Sequence, residues 1–121
     1  MRLEFLDEEH REQFMQIANE NKFSEWHTGN REYASVLYLA AGNEEVAKKL
    51  LPYFSSEDGL DIDQLYEKED LSSGIRTLVD LAACLFNGSR SCDVSDLAYL
   101  SERNFQLAMQ VIQYRYGYRF G

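Results

Sequence analysis

The stretch from Ser73 to Gly88, Ser-Gly-Ile-Arg-Thr-Leu-Val-Asp-Leu-Ala-Ala-Cys-Leu-Phe-Asn-Gly, decides the fold class. Projected on a helical wheel, Ile75, Leu78, Val79, Leu81, Ala82, Ala83, Leu85 and Phe86 fill an arc of about 200°, wider than the stripe of a surface helix. A helix with that arc needs neighbours on more than one side, so the spacing predicts a buried helix over Ser73–Asn87. Its narrow polar strip holds Arg76, Thr77, Asp80 and Cys84. Arg76 and Asp80 stand i,i+4, the spacing of a modest ion pair. Asn87-Gly88 closes the helix, glycine entering the left-handed conformation at no steric cost.

Downstream, Ser89 to Asp96 reads as a loop and Asp96 to Tyr99 as a single helical turn. Ser101 caps a last helix over Glu102–Tyr116, with Leu100 and Phe105 at the hydrophobic-staple positions. Phe105, Ala108, Met109, Val111 and Ile112 read as its inward face, Gln106, Gln110 and Gln113 as a polar one. Gly117 ends it, leaving Tyr118-Arg119-Phe120-Gly121 as a tail.

Upstream, Asp7 caps a helix from Glu8 to Asn21, with Glu8 and Glu9 where the helix dipole favours acids. Its apolar face carries Phe14, Ile17 and Ala18, with His10 one turn earlier. Periodicity is lost from Asn19 to Asn30, predicting a loop that carries Phe23, Trp26 and His27. Asn30 caps a helix to Ala41, Gly42 stops it, and Asn43 caps a shorter one that ends before Pro52. Pro52 to Ser72 predicts an irregular acidic segment laid over the core, with Gly59 to Tyr66 alternatively a short strand. The expected architecture is an all-α, compact single-domain bundle of about five helices over residues 1–121. Ser73–Asn87 and Glu102–Tyr116 stand at its centre, with the pair Arg31–Leu50 packed against them.

Composition bounds the function. A chain of 121 residues with 45% hydrophobic content buries roughly two thirds of its unfolded surface without metal or disulfide. The longest apolar runs fall short of the roughly 18 residues of a membrane span. The opening Met1-Arg2-Leu3-Glu4-Phe5 lacks the apolar core of a signal peptide, predicting a cytoplasmic protein, and Cys84 and Cys92 are then expected as free thiols. A net charge of −9 argues against a general nucleic-acid binder and for protein partners.

Four motifs in order carry a resemblance: Glu9-His10, Gly42-Asn43 between two helices, Leu81-Ala82-Ala83-Cys84-Leu85-Phe86-Asn87-Gly88, and Leu100-Ser101-Glu102-Arg103-Asn104-Phe105-Gln106-Leu107-Ala108. Over nearly its whole length the chain resembles a family of small uncharacterised proteins from Firmicutes, their phages and mobile elements, a domain of unknown function. The resemblance implies a bacterial helical domain and brings no activity with it. Asp80 and Cys84 depart from the residue types expected there.

No residue set forms a catalytic constellation, and no metal or cofactor is expected. Two histidines and two cysteines lack zinc spacing. The acidic run Asp58-Gly59-Leu60-Asp61-Ile62-Asp63 fits the calcium-loop template in neither register. Cys84 has a carboxylate one turn away, which would raise its pKa, so it reads as a structural thiol. His10 reads as a core histidine whose ring nitrogens must find partners. Trp26, His27, Tyr118 and Arg119 are the candidate binding residues. The best functional expectation is a non-enzymatic protein-binding or regulatory module, with self-association open. The alternatives are a small enzyme or metal-dependent protein using His10 and His27 with nearby acids such as Glu9, and nucleic-acid binding through the Arg/Tyr tail.

Overall fold

Six helix starts are each fixed by one short polar side chain that accepts a hydrogen bond from the first turn: Asp7, Asn30, Asn43, Asp61, Asp93 and Ser101. Such caps satisfy backbone N–H groups that have no partner within the helix. The computed structural model describes residues 2–117. In chain order these form α1 (Glu8–Glu20), α2 (Glu25–Gly29), α3 (Arg31–Gly42), α4 (Glu44–Leu50), a 3₁₀ turn (Leu51–Tyr53), β1 (Phe54–Ser55), β2 (Gly59–Leu60), α5 (Ile62–Lys68), α6 (Ser73–Asn87), α7 (Val94–Leu97) and α8 (Glu102–Tyr116).

The described residues are all-α apart from a two-stranded hairpin, in which Phe54 pairs with Leu60 and Ser55 with Gly59. The described residues hold eight helices rather than five. The additional ones are too short for periodicity to show. α2 occupies five residues of the expected loop, and α5 occupies seven of the expected irregular segment. Asp61, read as one acid in an acidic run, is the cap of α5, accepting from the Gln64 N–H at 3.2 Å. Ile62 and Leu65, three apart, turn its inner face into the core. Gly59 sits at φ +74° with Phe86 ring atoms 2.9 and 3.0 Å from where a Cβ would stand, so conformation and space both require glycine there.

The centre also differs from expectation. α3, not the pair α6 and α8, is the element that the rest surrounds: it meets α1, α2, α4, α6 and α8. Ala34 to Ala40 are all buried, including Ser35 and Tyr38. Their polar atoms are satisfied internally, Ser35 Oγ donating to the Arg31 carbonyl at 2.6 Å and the Tyr38 hydroxyl to the Glu4 carbonyl at 2.6 Å. A hydroxyl so paired costs little to bury, which lets a helix that carries Ser35 and Tyr38 sit in the core.

α6 has the breadth of burial its sequence predicts, with Leu78, Val79, Leu81, Ala82, Ala83 and Leu85 inside, and Gly88 takes the left-handed cap at φ 72°. Arg115 donates to the Leu85 carbonyl at 2.6 Å, and Arg31 likewise donates to the Tyr114 carbonyl. Both cations meet carbonyls near helix C-termini, where the dipole favours positive charge.

Candidate functional site

α2 begins after Ser24, and its third residue, His27, folds back on that start. His27 Nδ1 accepts from the Ser24 N–H at 3.1 Å, so Nε2 carries the proton and donates to the Ser56 carbonyl at 3.2 Å. One imidazole therefore ties α2 to the turn between β1 and β2. Its ring also meets Tyr33 edge-on at 4.8 Å, Trp26 at 5.1 Å and Phe23 at 5.5 Å.

Tyr33 extends this cluster inward to Phe54 at 5.6 Å and Phe86 at 5.1 Å. Six rings from α2, α3, the hairpin, α6 and the segment before α2 thus pack together. Trp26 is the member left outside, 64% exposed while its ring stands at 5.8 Å and 63° to Tyr33. Aromatic pairs in such edge geometry stabilise by about 0.5–1.5 kcal/mol beyond area burial. The exposed indole is consequently held in place.

His10 lies in a separate cluster with Phe5 at 5.2 Å and Tyr38 at 4.3 Å. It is 1% exposed. Nδ1 accepts from the Leu6 N–H at 3.1 Å, which makes Nε2 the donor to the Tyr38 carbonyl at 2.9 Å. The imidazole locks the extended lead-in against α3, and burial lowers its pKa below the ordinary 6.5 although the bond to Tyr38 opposes that shift.

A folded-state pKa below the unfolded value means that His10 stabilises fully above about pH 6.5 and that its contribution is lost as pH falls from there through the folded value. Unfolding free energy of the wild type is expected to fall more steeply between about pH 7.5 and pH 5 than that of His10→Gln. Parallel curves from denaturant titrations would contradict this. The depressed carboxyl pKa values of Asp7, capped on His10 N–H and bonded to Arg103, and of Glu8, bonded to Arg11, place their own losses at lower pH.

Asp7, Glu9, Gln13, His10, Glu44 and Arg103 line a cleft of about 370 Å³ between α1, the α3–α4 joint and the start of α8. The structure thus brings Glu9 and His10 to one cleft but leaves His27 in the other cluster, with no partner in common. Both nitrogens of each imidazole are engaged within the chain. Among the described residues no group of three or more His, Cys, Asp or Glu is placed to hold a metal ion. Tyr118 and Arg119 lie outside the described residues.

Other polar groups find partners that spacing along the chain does not announce. Arg76 does not pair with Asp80; its guanidinium lies over the Tyr66 ring at 4.9 Å, with Arg90 over the same ring at 4.5 Å. Asp80 instead accepts from the Tyr66 hydroxyl, and burial together with that bond raises the phenol's pKa. Both cysteines are free and half-buried. Burial, with the neighbouring Cys84 and several carboxylates, pushes Cys92 up to about 11, so it is a thiol rather than a thiolate at neutral pH. Sequence reasoning missed Tyr33, Phe54 and Phe86 as the support of Trp26 because they come from three separated segments. Among the described residues no helix is long and apolar enough to cross a membrane. No protein-family model, no curated protein and no solved structure matches the chain.

Proposed function

We propose that the chain is a non-enzymatic, cytoplasmic protein-binding module that docks a partner protein through the face presenting Trp26, in the manner of the small regulatory products of bacterial phages and mobile elements. The observation that supports it is the pairing of exposure with order at Trp26: 64% of the residue is accessible, yet His27 and Tyr33 hold its ring by their edges. A tryptophan already held in place loses little rotamer freedom on binding, and such residues dominate interface energetics. His27 supports the face from beneath by joining α2 to the hairpin.

Truncating such an anchor costs about 2 kcal/mol or more, roughly 30-fold in affinity. Affinity capture of a partner by the wild type, with retention reduced by that order in Trp26→Ala, is the expected result. Trp26→Ala gives up the edge contacts to His27 and Tyr33, so its thermal midpoint is expected to fall by several degrees while the core, which Trp26 does not enter, keeps the variant folded at the temperature of capture. Equal retention of the same partner by both proteins would remove the Trp26 face from the mechanism.

A further inference from the structure

The segments that carry the exposed indole bear only negative charge. From Phe23 to Asn30 and from Ser55 to Gly59, the two stretches that the His27–Ser56 bond joins, the charged residues are Glu25, Glu57 and Asp58. His27 adds no charge, because Nδ1 accepts from the Ser24 N–H and a single proton stays on Nε2. All three acids are exposed. Glu25 precedes Trp26 on α2, and Glu57 follows the Ser56 carbonyl that His27 holds at 3.2 Å, the His27 ring being itself 5.1 Å from the indole. Asp58 comes next, its N–H donating to Ser55 Oγ at 3.0 Å. Helix and turn therefore share one face. Of the cations that flank α2 in sequence, Arg31 is turned to the Tyr114 carbonyl and ring, and Lys22 stands four residues before the indole. Among the described residues no ion pair engages any of the three carboxylates.

An indole face attracts a cation through its ring quadrupole, and carboxylates beside it strengthen the attraction. His27 and Tyr33 stand at 88° and 63° to the indole, so neither lies flat on it and a planar group can. Arginine matches both parts of this face. Its guanidinium is planar, stacks on aromatic rings, and presents paired N–H donors to a carboxylate. A neutral segment gains only the apolar contact, and an acidic one is repelled.

We propose that the occupant of the Trp26 face is an arginine-bearing basic segment of the partner protein, one guanidinium lying on the indole while Glu25, Glu57 and Asp58 pair with the positive charge around it. This rests on the reading of Trp26 as a docking face and adds the chemistry of what docks there.

Trp26 is the single tryptophan of the chain, so its emission reports on this face alone. The probe is the blocked peptide acetyl-Gly-Arg-Ser-Arg-Gly-Ser-Arg-Gly-amide, titrated into the full chain at about 0.15 M salt and followed by fluorescence and calorimetry. A twin with citrulline for each arginine keeps the shape and removes the charge. The arginine peptide is expected to bind and shift the Trp26 emission, the citrulline peptide to bind about tenfold more weakly or less, and added salt to weaken the first. Glu25→Gln/Glu57→Gln is expected to lower its affinity by about three- to tenfold. Glu45→Gln/Glu102→Gln removes the same charge from α4 and α8 and should bind within about twofold of the wild type. Trp26→Ala, read by calorimetry, should lose about threefold. Circular dichroism checks that each variant is folded at the temperature of titration. Equal affinity for the two peptides, absence of binding included, or equal losses in the two glutamine variants would overturn the basic occupant and leave Trp26 docking to be judged by capture of its partner. Arginine-peptide binding that neither shifts the emission nor falls in Trp26→Ala would place the contact elsewhere and overturn the proposal as well.

Discussion

Replacing Tyr38 by alanine is expected to lower the unfolding free energy by about 3–5 kcal/mol, the range for truncating a large buried aromatic. Tyr38 has no exposed surface, and its ring meets Phe5 and His10. Its hydroxyl donates to the Glu4 carbonyl at 2.6 Å. Removal of the side chain leaves a cavity beneath the lead-in, and the imidazole and Phe5 ring lose the surface they pack on. Against a typical total of about 5–15 kcal/mol this is a large fraction, corresponding to a fall in thermal midpoint of roughly 10 °C or more. Tyr38→Phe separates the two contributions: it keeps the ring and loses only the hydrogen bond, so its cost is expected near 1 kcal/mol. Urea unfolding of both variants, with hydrogen exchange at Leu6 N–H reporting release of the lead-in, checks the pair. A Tyr38→Ala protein within 1 kcal/mol of wild type would show that α3 is not the centre of the fold.

The second large effect is expected at Gly42, where two terms of opposite sign compete. Alanine is the better helix former by about 0.5–1 kcal/mol, which alone would make Gly42→Ala stabilising. An added Cβ would stand 2.3 Å from Leu107 Cδ1 and 2.8 Å from Cδ2. Leu107 is fully buried, so its side chain has no open space to retreat into. Overpacking of that kind costs about 1–3 kcal/mol, and the net change is expected to be destabilising. Gly42→Val, with two further methyl groups, should lose more than Gly42→Ala. The decisive measurement is a double-mutant cycle with Leu107→Ala: shortening the leucine opens room for the new methyl, so the coupling should exceed about 1 kcal/mol in the stabilising direction. Additive effects would place the cost of Gly42→Ala elsewhere.

Gly42 also shows where local reading gives a true boundary for an incomplete reason. The glycine was expected as a helix stop, and α3 does end there. Yet Gly42 carries none of the positive φ values found at Gly59, Gly88 and Gly117. What requires its missing side chain is Leu107, 65 positions away on α8. Gly88 is the contrasting case, a cap whose left-handed conformation follows from neighbours in sequence.

The sequence by itself determined the capped helices. Asp7, Asn30, Asn43 and Ser101 act on N–H groups two or three residues away, and α1, α3, α4 and α8 begin where those caps stand. The burial of α6 was legible too, because its apolar arc spans four turns. α2 and α5 were not, since five to seven residues supply too few turns for a period to emerge and their apolar residues are interleaved with acids and turn formers. Tertiary structure alone decided the rest: that α3 is the hub, that His10 and His27 serve two different clusters, and that Trp26 is exposed on a bed of rings. The physical reason is the same in each instance. A hydroxyl, an imidazole or an indole can be buried or displayed according to which distant carbonyl or ring receives it, and those partners, the Glu4, Tyr38 and Ser56 carbonyls and the Tyr33 ring among them, are set by how the helices pack.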